Sequence, residues 1–205
     1  MQNNILVYSY RRCPFAMRVR IALHEKKIPF ETKEEDLKNF STELRALHPE
    51  AKVPVLVHGG RVIYESAIIV EYVDDLESQE AKLMPSDAAE KAEVRLWTYW
   101  CNTVFKPDLD RFKYGTSRFS EKDCEGAEER LQGHLKKLEK ALQSASWLVG
   151  NRYSLAEVNL FPFVRQLFRI QPTPSFISQF PRLVLWSEGI STRESVHQAL
   201  AISLI

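Results

Sequence analysis

The spacing of apolar residues predicts alternating strands and helices over the first part of the chain. A short apolar run at 5–8, ILVY, is typical of a buried strand. From Pro14 onward the apolar residues recur at helical spacing, and a proline suits the first helical turn because its missing N–H costs nothing there. The polar members of this helix fall mostly on its other faces: Arg18, Arg20, His24 and Glu25.

The same kind of pattern predicts several more elements. IPFETKEEDL predicts a second strand, and STELRALHP predicts a short helix that Pro49 ends. VPVLVHGGRVIYES predicts two strands joined by a tight turn at Gly59 and Gly60, and SAIIVEYVDDLE predicts a helix. The resulting order, β-α-β-α-β-β-α within residues 1–78, predicts a compact α/β domain.

The pattern becomes helical after a polar linker at 79–85, and residues 86–205 are predicted to form an all-helical domain. One long helix is marked by Val94, Trp97, Cys101, Val104, Phe105 and Phe112. Another is marked by Leu131, Leu135, Leu138 and Leu142. Pro107 is expected to bend or end the first of these helices, because it removes one N–H from the backbone ladder.

A further helix start is predicted in NRYSLAEVNLFPFV. Ser154 is followed three residues later by Glu157, which is the capping-box pattern. Tyr153 and Val158 are placed to form a hydrophobic staple around it. No strand is predicted in this part of the chain.

Composition and charge limit the classes of function. The 205 residues carry a net charge of +1, so there is no basic field to attract nucleic acid or an anionic membrane. No apolar run approaches the roughly 18 residues of a membrane-spanning helix, and the N-terminus lacks the basic region of a secretory signal. The sequence therefore predicts a cytoplasmic protein with neither a membrane nor a nucleic-acid partner.

The three cysteines, Cys13, Cys101 and Cys124, leave one thiol unpaired in any disulfide scheme, which favours a reducing compartment. The five histidines are scattered, without a helix-spaced pair beside a cysteine, so no metal site is predicted. Cys101 lies on the apolar stripe of a helix and is expected in the core. Cys124 is expected to be a surface thiol without a role.

Cys13 stands in YSYRRCPFAMRVRIAL, at the point where the first helix begins. A thiolate at a helix N-terminus is stabilised by the helix dipole and by backbone N–H groups. Arg11, Arg12 and Arg18 add positive charge nearby. The residues alone leave two readings open, a nucleophile and a buried structural cysteine, and the polar setting favours the nucleophile.

Four motifs in register resemble the cytosolic glutathione transferases over essentially the whole chain: CPFAMRVRIAL, KVPVL, ESAIIVEYV and YSLAEVNLFPF. FPRLVLWSEGISTRESV is similar to the closing helix of that family. The resemblance implies a thioredoxin-like N-terminal domain of βαβαββα order and an all-α C-terminal domain. The C-P-F-A form is similar to the omega-type, cysteine-using members and their bacterial relatives.

The resemblance also implies which residues bind glutathione. Pro54 is expected to follow a cis peptide bond, which leaves the backbone of Val53 free to pair with the cysteinyl part of the tripeptide. Ser66, expected at a helix N-cap, matches the carboxylate of the glutamyl end, and Glu65 matches its ammonium group. Lys52 is expected at the glycyl carboxylate.

A pocket for a second substrate is expected between the two domains. The candidate lining residues are Tyr10, Phe15, Trp97, Trp100, Tyr114, Arg165 and Arg169. The two arginines are four residues apart and share one helix face. They favour an anionic co-substrate, unless they simply pair with acids.

The resemblance implies a glutathione-dependent enzyme without a permanently bound cofactor, and a homodimer. Thiol–disulfide exchange at Cys13 is the leading hypothesis. Conjugation of glutathione to small electrophiles is the alternative, in which a hydroxyl of Tyr8, Ser9 or Tyr10 donates to the glutathione thiolate. A non-catalytic regulatory or binding member of the same fold is a further alternative, and the complete set of motifs argues against it.

Overall fold

The computed structural model describes residues 4–170 and 174–201. The described chain divides into two compact units. Unit 1 contains the residues up to 84 together with those from 192 onward, and unit 2 contains residues 85–191. The division at 84/85 falls inside the predicted linker, but the last helix belongs to unit 1 and not to the predicted domain of residues 86–205.

Unit 1 has the predicted βαβαββα order, with one further helix from the end of the chain. Its elements are β1 (Ile5–Ser9), α1 (Pro14–Glu25), β2 (Phe30–Glu34), α2 (Thr42–Leu47), β3 (Val55–His58), β4 (Arg61–Tyr64), α3 (Ser66–Asp75) and α11 (Glu194–Leu200). The strands form one sheet in the order β2-β1-β3-β4. Only β1 and β2 are parallel, because helix α1 connects them as a crossover, whereas β3 and β4 form a hairpin.

The tight turn of this hairpin lies at the predicted glycines. Gly59 and Gly60 have φ angles of 56° and 82°, a region that side chains with a Cβ rarely adopt. In β1, alternate side chains point to opposite faces of the sheet. Tyr8 therefore joins a small core cluster with Leu44 and Val55.

Helix α1 is buried on more sides than its sequence pattern predicts. Its apolar face is in the core, as expected, but Arg18 and Arg20 are buried as well, with 0% and 7% of their surface exposed. The sequence pattern places these arginines mostly on faces other than the apolar one, and it does not predict their burial. Helix α11 packs against α1 and covers the side that the pattern leaves polar.

An ion pair fastens the chain from residue 192 onward to α1. The guanidinium of Arg193 donates to both carboxylate oxygens of Glu25, at 2.6 and 2.7 Å. The hydroxyl of Ser195 donates to the same carboxylate at 2.5 Å. These contacts between positions far apart in sequence explain why the last helix belongs to unit 1.

The chain before residue 84 is held to unit 1 by a buried carboxylate. Asp74 accepts hydrogen bonds from the backbone N–H groups of Leu83 and Met84, at 2.7 and 2.9 Å. Lys26 lies 3.7 Å from this carboxylate, and both side chains are almost completely buried. Leu83 and Met84, near the end of the predicted linker, are therefore held in place by Asp74.

Among its described residues, unit 2 contains helices and no strand. Its elements are α4 (Ala88–Trp100), a π-helical turn (Cys101–Phe105), α5 (Lys106–Tyr114), a 3-10 turn (Gly115–Ser117), α6 (Glu121–Cys124), α7 (Ala127–Ala141), α8 (Leu155–Ile170), α9 (Pro174–Ile177) and α10 (Pro181–Ser191). The predicted leucines of α7 and its end, Leu131, Leu135, Leu138 and Leu142, are all buried. No helix within residues 4–170 and 174–201 has the length and hydrophobicity needed to cross a bilayer.

A π-helical turn precedes Pro107 in the first long helix, and the chain continues beyond it as α5. The turn ends where the N–H of Lys106 donates to the carbonyl of Cys101, five residues earlier, so the backbone ladder shifts register just before the proline. Cys101 is fully buried, as predicted. Val104 is 39% exposed, so its predicted place on the buried stripe is wrong.

The predicted capping box at the start of α8 is confirmed. The carboxylate of Glu157 accepts from the backbone N–H and the hydroxyl of Ser154, at 2.9 and 2.8 Å. The same carboxylate accepts from the N–H of Leu148 at 2.7 Å. Because burial disfavours the ionised form, it raises the pKa of Glu157 despite these bonds.

A second buried carboxylate ties helices α5 and α7 of unit 2 together. Asp108 accepts hydrogen bonds from Arg111 at 3.0 Å, from Arg130 at 2.9 Å and from His134 at 2.9 Å. Burial alone would raise its pKa, but hydrogen bonds from His134 and Arg130 outweigh that effect and hold the pKa of Asp108 below its usual value.

Candidate functional site

Cys13 stands at the N-cap position of α1 and is half-buried. Pro14 follows as the first helical residue, and no side chain caps this helix end. The thiol therefore lies at the positive end of a twelve-residue helix. None of the three cysteines forms a disulfide. This is the setting that the sequence predicts for a reactive thiol.

The thiol faces the loop that leads into β3. The Cys13 Sγ donates to the carbonyl of Val53 at 3.9 Å. The peptide bond between Val53 and Pro54 is cis, as expected from the resemblance. Pro54 is buried, and Val53 is half-buried. The structure thus brings the predicted nucleophile and the predicted peptide-docking backbone together.

The turn before Cys13 is held by several hydrogen bonds. The Cys13 N–H donates to the carbonyl of Tyr10 at 2.9 Å. The backbone N–H of Arg11 donates to the carboxylate of Glu34. The backbone carbonyl of Arg11 accepts a hydrogen bond from Arg20 at 3.0 Å. Both the backbone N–H and the backbone carbonyl of Arg11 are therefore hydrogen-bonded.

Among the arginines predicted to act on Cys13, Arg11 and Arg12 are exposed, and Arg18 is fully buried. The guanidinium of Arg18 lies 5.1 Å from the centre of the Phe15 ring. Sequence reasoning missed Arg20, which is buried and bonded to the turn itself. The sequence shows only that Arg20 is a charged residue within the first helix. Its burial depends on a segment much later in the chain.

Glu65 and Ser66 stand together at the start of α3, but their positions differ by one residue from the prediction. The N-cap is Glu65, and Ser66 is the first helical residue. Ser66 is buried at 5% exposure, whereas Glu65 is exposed. The prediction of Ser66 as the cap is therefore wrong, because the backbone turns into the helix one residue earlier.

The backbone of Glu65 is in an unusual conformation, with φ 65° and ψ 106°. For a residue with a Cβ, such a conformation costs of order 1–3 kcal/mol, and strain of this kind is concentrated at functional sites. It sets a carboxylate beside the N-terminus of α3, where backbone N–H groups attract an anion. One acid and one helix end can thus bind the two charges of a zwitterion.

Lys52 is exposed and pairs with the carboxylate of Glu50. That hydrogen bond raises the pKa of Lys52. The ammonium group is therefore already engaged in the structure, and a ligand carboxylate would compete with Glu50 for it.

The candidate residues for a second substrate are divided between the units. In unit 1, Tyr10 and Phe15 are both half-buried. In unit 2, Trp97 is 8% exposed and packs edge-on against Trp100, with ring centres 5.5 Å apart. Lys137 lies above both indole rings. The roles of these residues stay predictions.

The remaining candidates lie near the ends of their helices. The guanidinium of Arg118 lies 3.7 Å from the centre of the Tyr114 ring. Arg165 is half-buried and Arg169 is exposed. Burial, followed by the charge of Arg169, lowers the pKa of Arg165. This helix face of α8 therefore concentrates positive charge.

Two of the residues considered for conjugation, Tyr8 and Ser9, are buried. Tyr8 is 7% exposed and packs in the core cluster. The Ser9 hydroxyl is fully buried and accepts from Arg20 at 2.5 Å. Tyr10 is half-buried beside the turn. Within the described residues, no group of three or more His, Cys, Asp or Glu side chains is placed to hold a metal ion.

Comparison with known proteins defines the class. Residues 12–76 match the family model of the glutathione S-transferase N-terminal domain, and residues 102–194 match that of the C-terminal domain. The chain is 31% identical to glutathione S-transferase U28 of Arabidopsis thaliana over 97% of this chain and 89% of that protein. It is 32% identical to the probable glutathione S-transferase parA of Nicotiana tabacum, over 97% and 90%. The chain belongs to the glutathione S-transferase family.

Solved structures agree with this fold. The Tau class enzyme MiGSTU of mango, Mangifera indica, superposes with a TM-score of 0.84 at 23% identity, over 99% of this chain and 95% of that one. The rice enzyme OsGSTU1, in complex with glutathione, gives 0.83 at 28% identity, over 96% and 92%. Omega 3C of Trametes versicolor gives 0.83 at 23% identity, over 99% and 91%.

These comparisons do not support the omega-like subclass that the C-P-F-A form predicts. The plant relatives are Tau-class enzymes, while the mango and omega structures, each 23% identical to this chain, are similar to it in fold alone. The family is therefore established, and the subclass prediction rests on Cys13 only. The chemistry of that residue decides between thiol transfer and conjugation.

Proposed function

We propose that this glutathione S-transferase exchanges glutathionyl groups through a covalent intermediate on Cys13. The observation that carries the proposal is the position of the thiol, at the N-terminus of α1 and 3.9 Å from the Val53 carbonyl. A helix N-terminus stabilises a thiolate. The adjoining backbone suits an extended peptide, which would place the cysteinyl sulfur of glutathione beside the thiol.

The reaction conserves atoms and electrons in two exchanges. The Cys13 thiolate attacks the glutathionyl sulfur of a mixed disulfide, the old S–S bond breaks, and the leaving thiolate takes up a proton. The enzyme then holds a Cys13–glutathione disulfide. A second glutathione thiolate attacks that glutathionyl sulfur, forms glutathione disulfide and restores the Cys13 thiolate.

The rest of the tripeptide is bound by groups in unit 1. Glu65 accepts from the glutamyl ammonium, and the start of α3 at Ser66 binds the glutamyl carboxylate. The backbone of Val53 beside Pro54 pairs with the cysteinyl residue, and Lys52 binds the glycyl carboxylate by leaving Glu50. Arg165 and Arg169 favour an anionic second substrate.

Replacing Glu65 with Gln tests the glutamyl site. The amide keeps the shape of the side chain and removes its charge, so the ammonium of glutathione loses a charge-assisted hydrogen bond. We expect affinity to fall by about 1.5–3 kcal/mol, or tenfold and more in Kd, by calorimetry. Glu65 is exposed, so the thermal midpoint should stay close to that of the parent.

Glu77→Gln is the matched control for this experiment. Glu77 is also an exposed carboxylate, but it lies beyond the other end of α3. We expect the Glu77→Gln variant to bind glutathione with the affinity of the parent. Equal affinity in Glu65→Gln and the parent would place the glutamyl end elsewhere.

Conjugation of glutathione to small electrophiles is the second candidate function, because the plant relatives are named glutathione S-transferases. In this reaction the thiolate belongs to glutathione and must be stabilised by a neutral donor. The Cys13 thiol in its protonated form is such a donor. A Cys13 thiolate would repel the second thiolate, so the two functions make opposite demands on this residue.

We also propose a cytoplasmic homodimer. The three cysteines form no disulfide, which suits a reducing compartment. Large apolar side chains lie exposed on both units, including Ile68 at 59% and Leu96 at 66%. Exposed apolar groups of this size are typical of protein interfaces. A second copy of the chain is the expected partner, since two-fold dimers are the commonest oligomers.

The double variant Ile68→Lys and Leu96→Lys should be a monomer, because burying two ammonium groups in an apolar interface is unfavourable. Sedimentation velocity distinguishes the two states. Leu185→Lys is the control, since Leu185 is equally exposed, at 63%, but lies on α10. A parent that sediments as a monomer at micromolar concentration would contradict the dimer.

A further inference from the structure

Arg20 makes three hydrogen bonds to three separate segments of unit 1. Its Nη1 donates to the Ser9 hydroxyl at 2.5 Å, and its Nη2 donates to the Arg11 carbonyl at 3.0 Å. Its Nε donates to the carbonyl of Ala199 on α11 at 3.0 Å. One planar guanidinium therefore joins the end of β1, the turn before Cys13 and the last helix of the chain.

The turn is fixed through the backbone of Arg11. Its N–H is bonded to Glu34, its carbonyl is bonded to Arg20, and the turn closes with the hydrogen bond from the Cys13 N–H to Tyr10. Cys13 follows Arg11 by two residues. The direction in which the thiol leaves this turn therefore depends on the position of the Arg20 guanidinium.

The charge of Arg20 also reaches the thiol. Burial lowers the pKa of Arg20, while the charges of Glu34 and of the Cys13 thiolate oppose that lowering and the charge of Arg11 adds to it. Since electrostatic interactions are mutual, Arg20 stabilises the thiolate in turn. A buried arginine is costly compared with an apolar side chain of similar size, so its presence here is not explained by stability alone.

We propose that Arg20 is a positioning residue, which holds the turn of residues 9–13 and the Cys13 thiol in place and couples them to helix α11. The proposal rests on the proposed role of Cys13 but concerns the thiol itself. Arg20 acts through Ser9, Arg11 and the last helix, and it does not contact the substrate. Displacing α11 would therefore change the reactivity of Cys13, although Cys13 lies at the start of α1.

The test is the rate at which iodoacetamide alkylates Cys13 as a function of pH, measured on the full chain by mass spectrometry of the peptide that contains Cys13. Arg20→Met keeps the length of the side chain and removes its charge and its donors. We expect alkylation at pH 7 to be about three- to tenfold slower and the titration midpoint to move upward. Arg20→Lys keeps the positive charge but lacks the guanidinium that donates to three segments. Its alkylation rate should lie between those of Arg20→Met and the parent.

Arg193→Met is the matched control. It removes the guanidinium that fastens the chain near α11 to the other end of α1, where Arg193 donates to both carboxylate oxygens of Glu25. We expect it to lower the thermal midpoint and to leave the alkylation profile unchanged. An equal shift in Arg193→Met and Arg20→Met would reduce Arg20 to a stabilising residue and overturn the proposal.

Two further outcomes would also overturn it. The first is an Arg20→Met protein with the parent's profile. The second is a folded Arg20→Lys protein with the parent's profile, which would show that charge alone suffices, and this variant decides the question if Arg20→Met does not fold. Alkylation needs no glutathione, so the result for Arg20 is independent of whether Cys13 carries out thiol transfer.

Discussion

Replacing Cys13 with Ser is expected to abolish the reduction of glutathionyl mixed disulfides. A serine hydroxyl is not ionised near neutral pH and cannot form the S–S bond on which the exchange depends. We expect the rate to fall by roughly a thousandfold or more, as for the loss of other covalent nucleophiles. The measurement is glutathione-dependent reduction of a glutathionylated small thiol. Cys124→Ser should retain the parent's rate.

The same variant separates thiol transfer from conjugation. A serine hydroxyl donates to the thiolate of glutathione, whereas a cysteine thiolate repels it. Conjugation to a small electrophile should therefore persist in Cys13→Ser, and it should rise where Cys13 is ionised in the parent. If Cys13→Ser still reduces mixed disulfides at the parent's rate, the thiol is not the nucleophile, and a structural cysteine is the correct reading.

The largest effect on stability is expected from Asp108→Asn. The amide keeps the shape of the side chain but leaves Arg111, Arg130 and His134 without a carboxylate. We expect a loss of about 2–3 kcal/mol in the free energy of unfolding. This is at or below the lower end of the cost of breaking a buried ion pair, because the Arg111 and Arg130 side chains are 33% and 42% exposed. The thermal midpoint should fall by about 5–10 °C.

The pH dependence of this effect has a defined sign. The pKa of Asp108 is lowered in the folded protein, from an ordinary value of 3.8. The folded state therefore binds that proton less tightly than the unfolded state, and stability is lost as the pH falls through the folded pKa. The difference between parent and variant should be full at pH 7 and should shrink below about pH 4.

Asp75→Asn is the control for the stability measurement. Asp75 also pairs with a cation, Lys82, but its side chain is 72% exposed. Exposed pairs contribute about 0–1 kcal/mol, so the variant should unfold close to the parent. Equal stability of Asp108→Asn and Asp75→Asn at pH 7 would remove Asp108 as the tie between the helical segments.

Local signals in the sequence predict the elements that carry the site. The order of strands and helices along the chain in unit 1 follows from apolar spacing and from the glycine turn. The start of α1 follows from Pro14. The capping box of Ser154 and Glu157 is likewise a pattern of neighbours in sequence. Each of these features depends on residues a few positions apart, so a sequence pattern is sufficient to find them.

Features that depend on distant contacts are not predicted. The burial of Arg20 requires α11, which lies almost the whole chain away, and so does the membership of that helix in unit 1. The start of α3 at Ser66 depends on the positive φ of Glu65, which no spacing pattern encodes. The same reason explains why the predicted glutathione site comes from the resemblance and not from the residue pattern.

The most direct measurement of the role of Cys13 is peptide mass spectrometry of the full chain after incubation with glutathione disulfide. The thiolate should attack one sulfur of the disulfide, release one glutathione thiolate and retain one glutathionyl group on the peptide that contains Cys13. Added glutathione should remove that group. A Cys13 peptide that stays unmodified while the protein binds glutathione, or an adduct confined to Cys101 or Cys124, would contradict thiol transfer at Cys13.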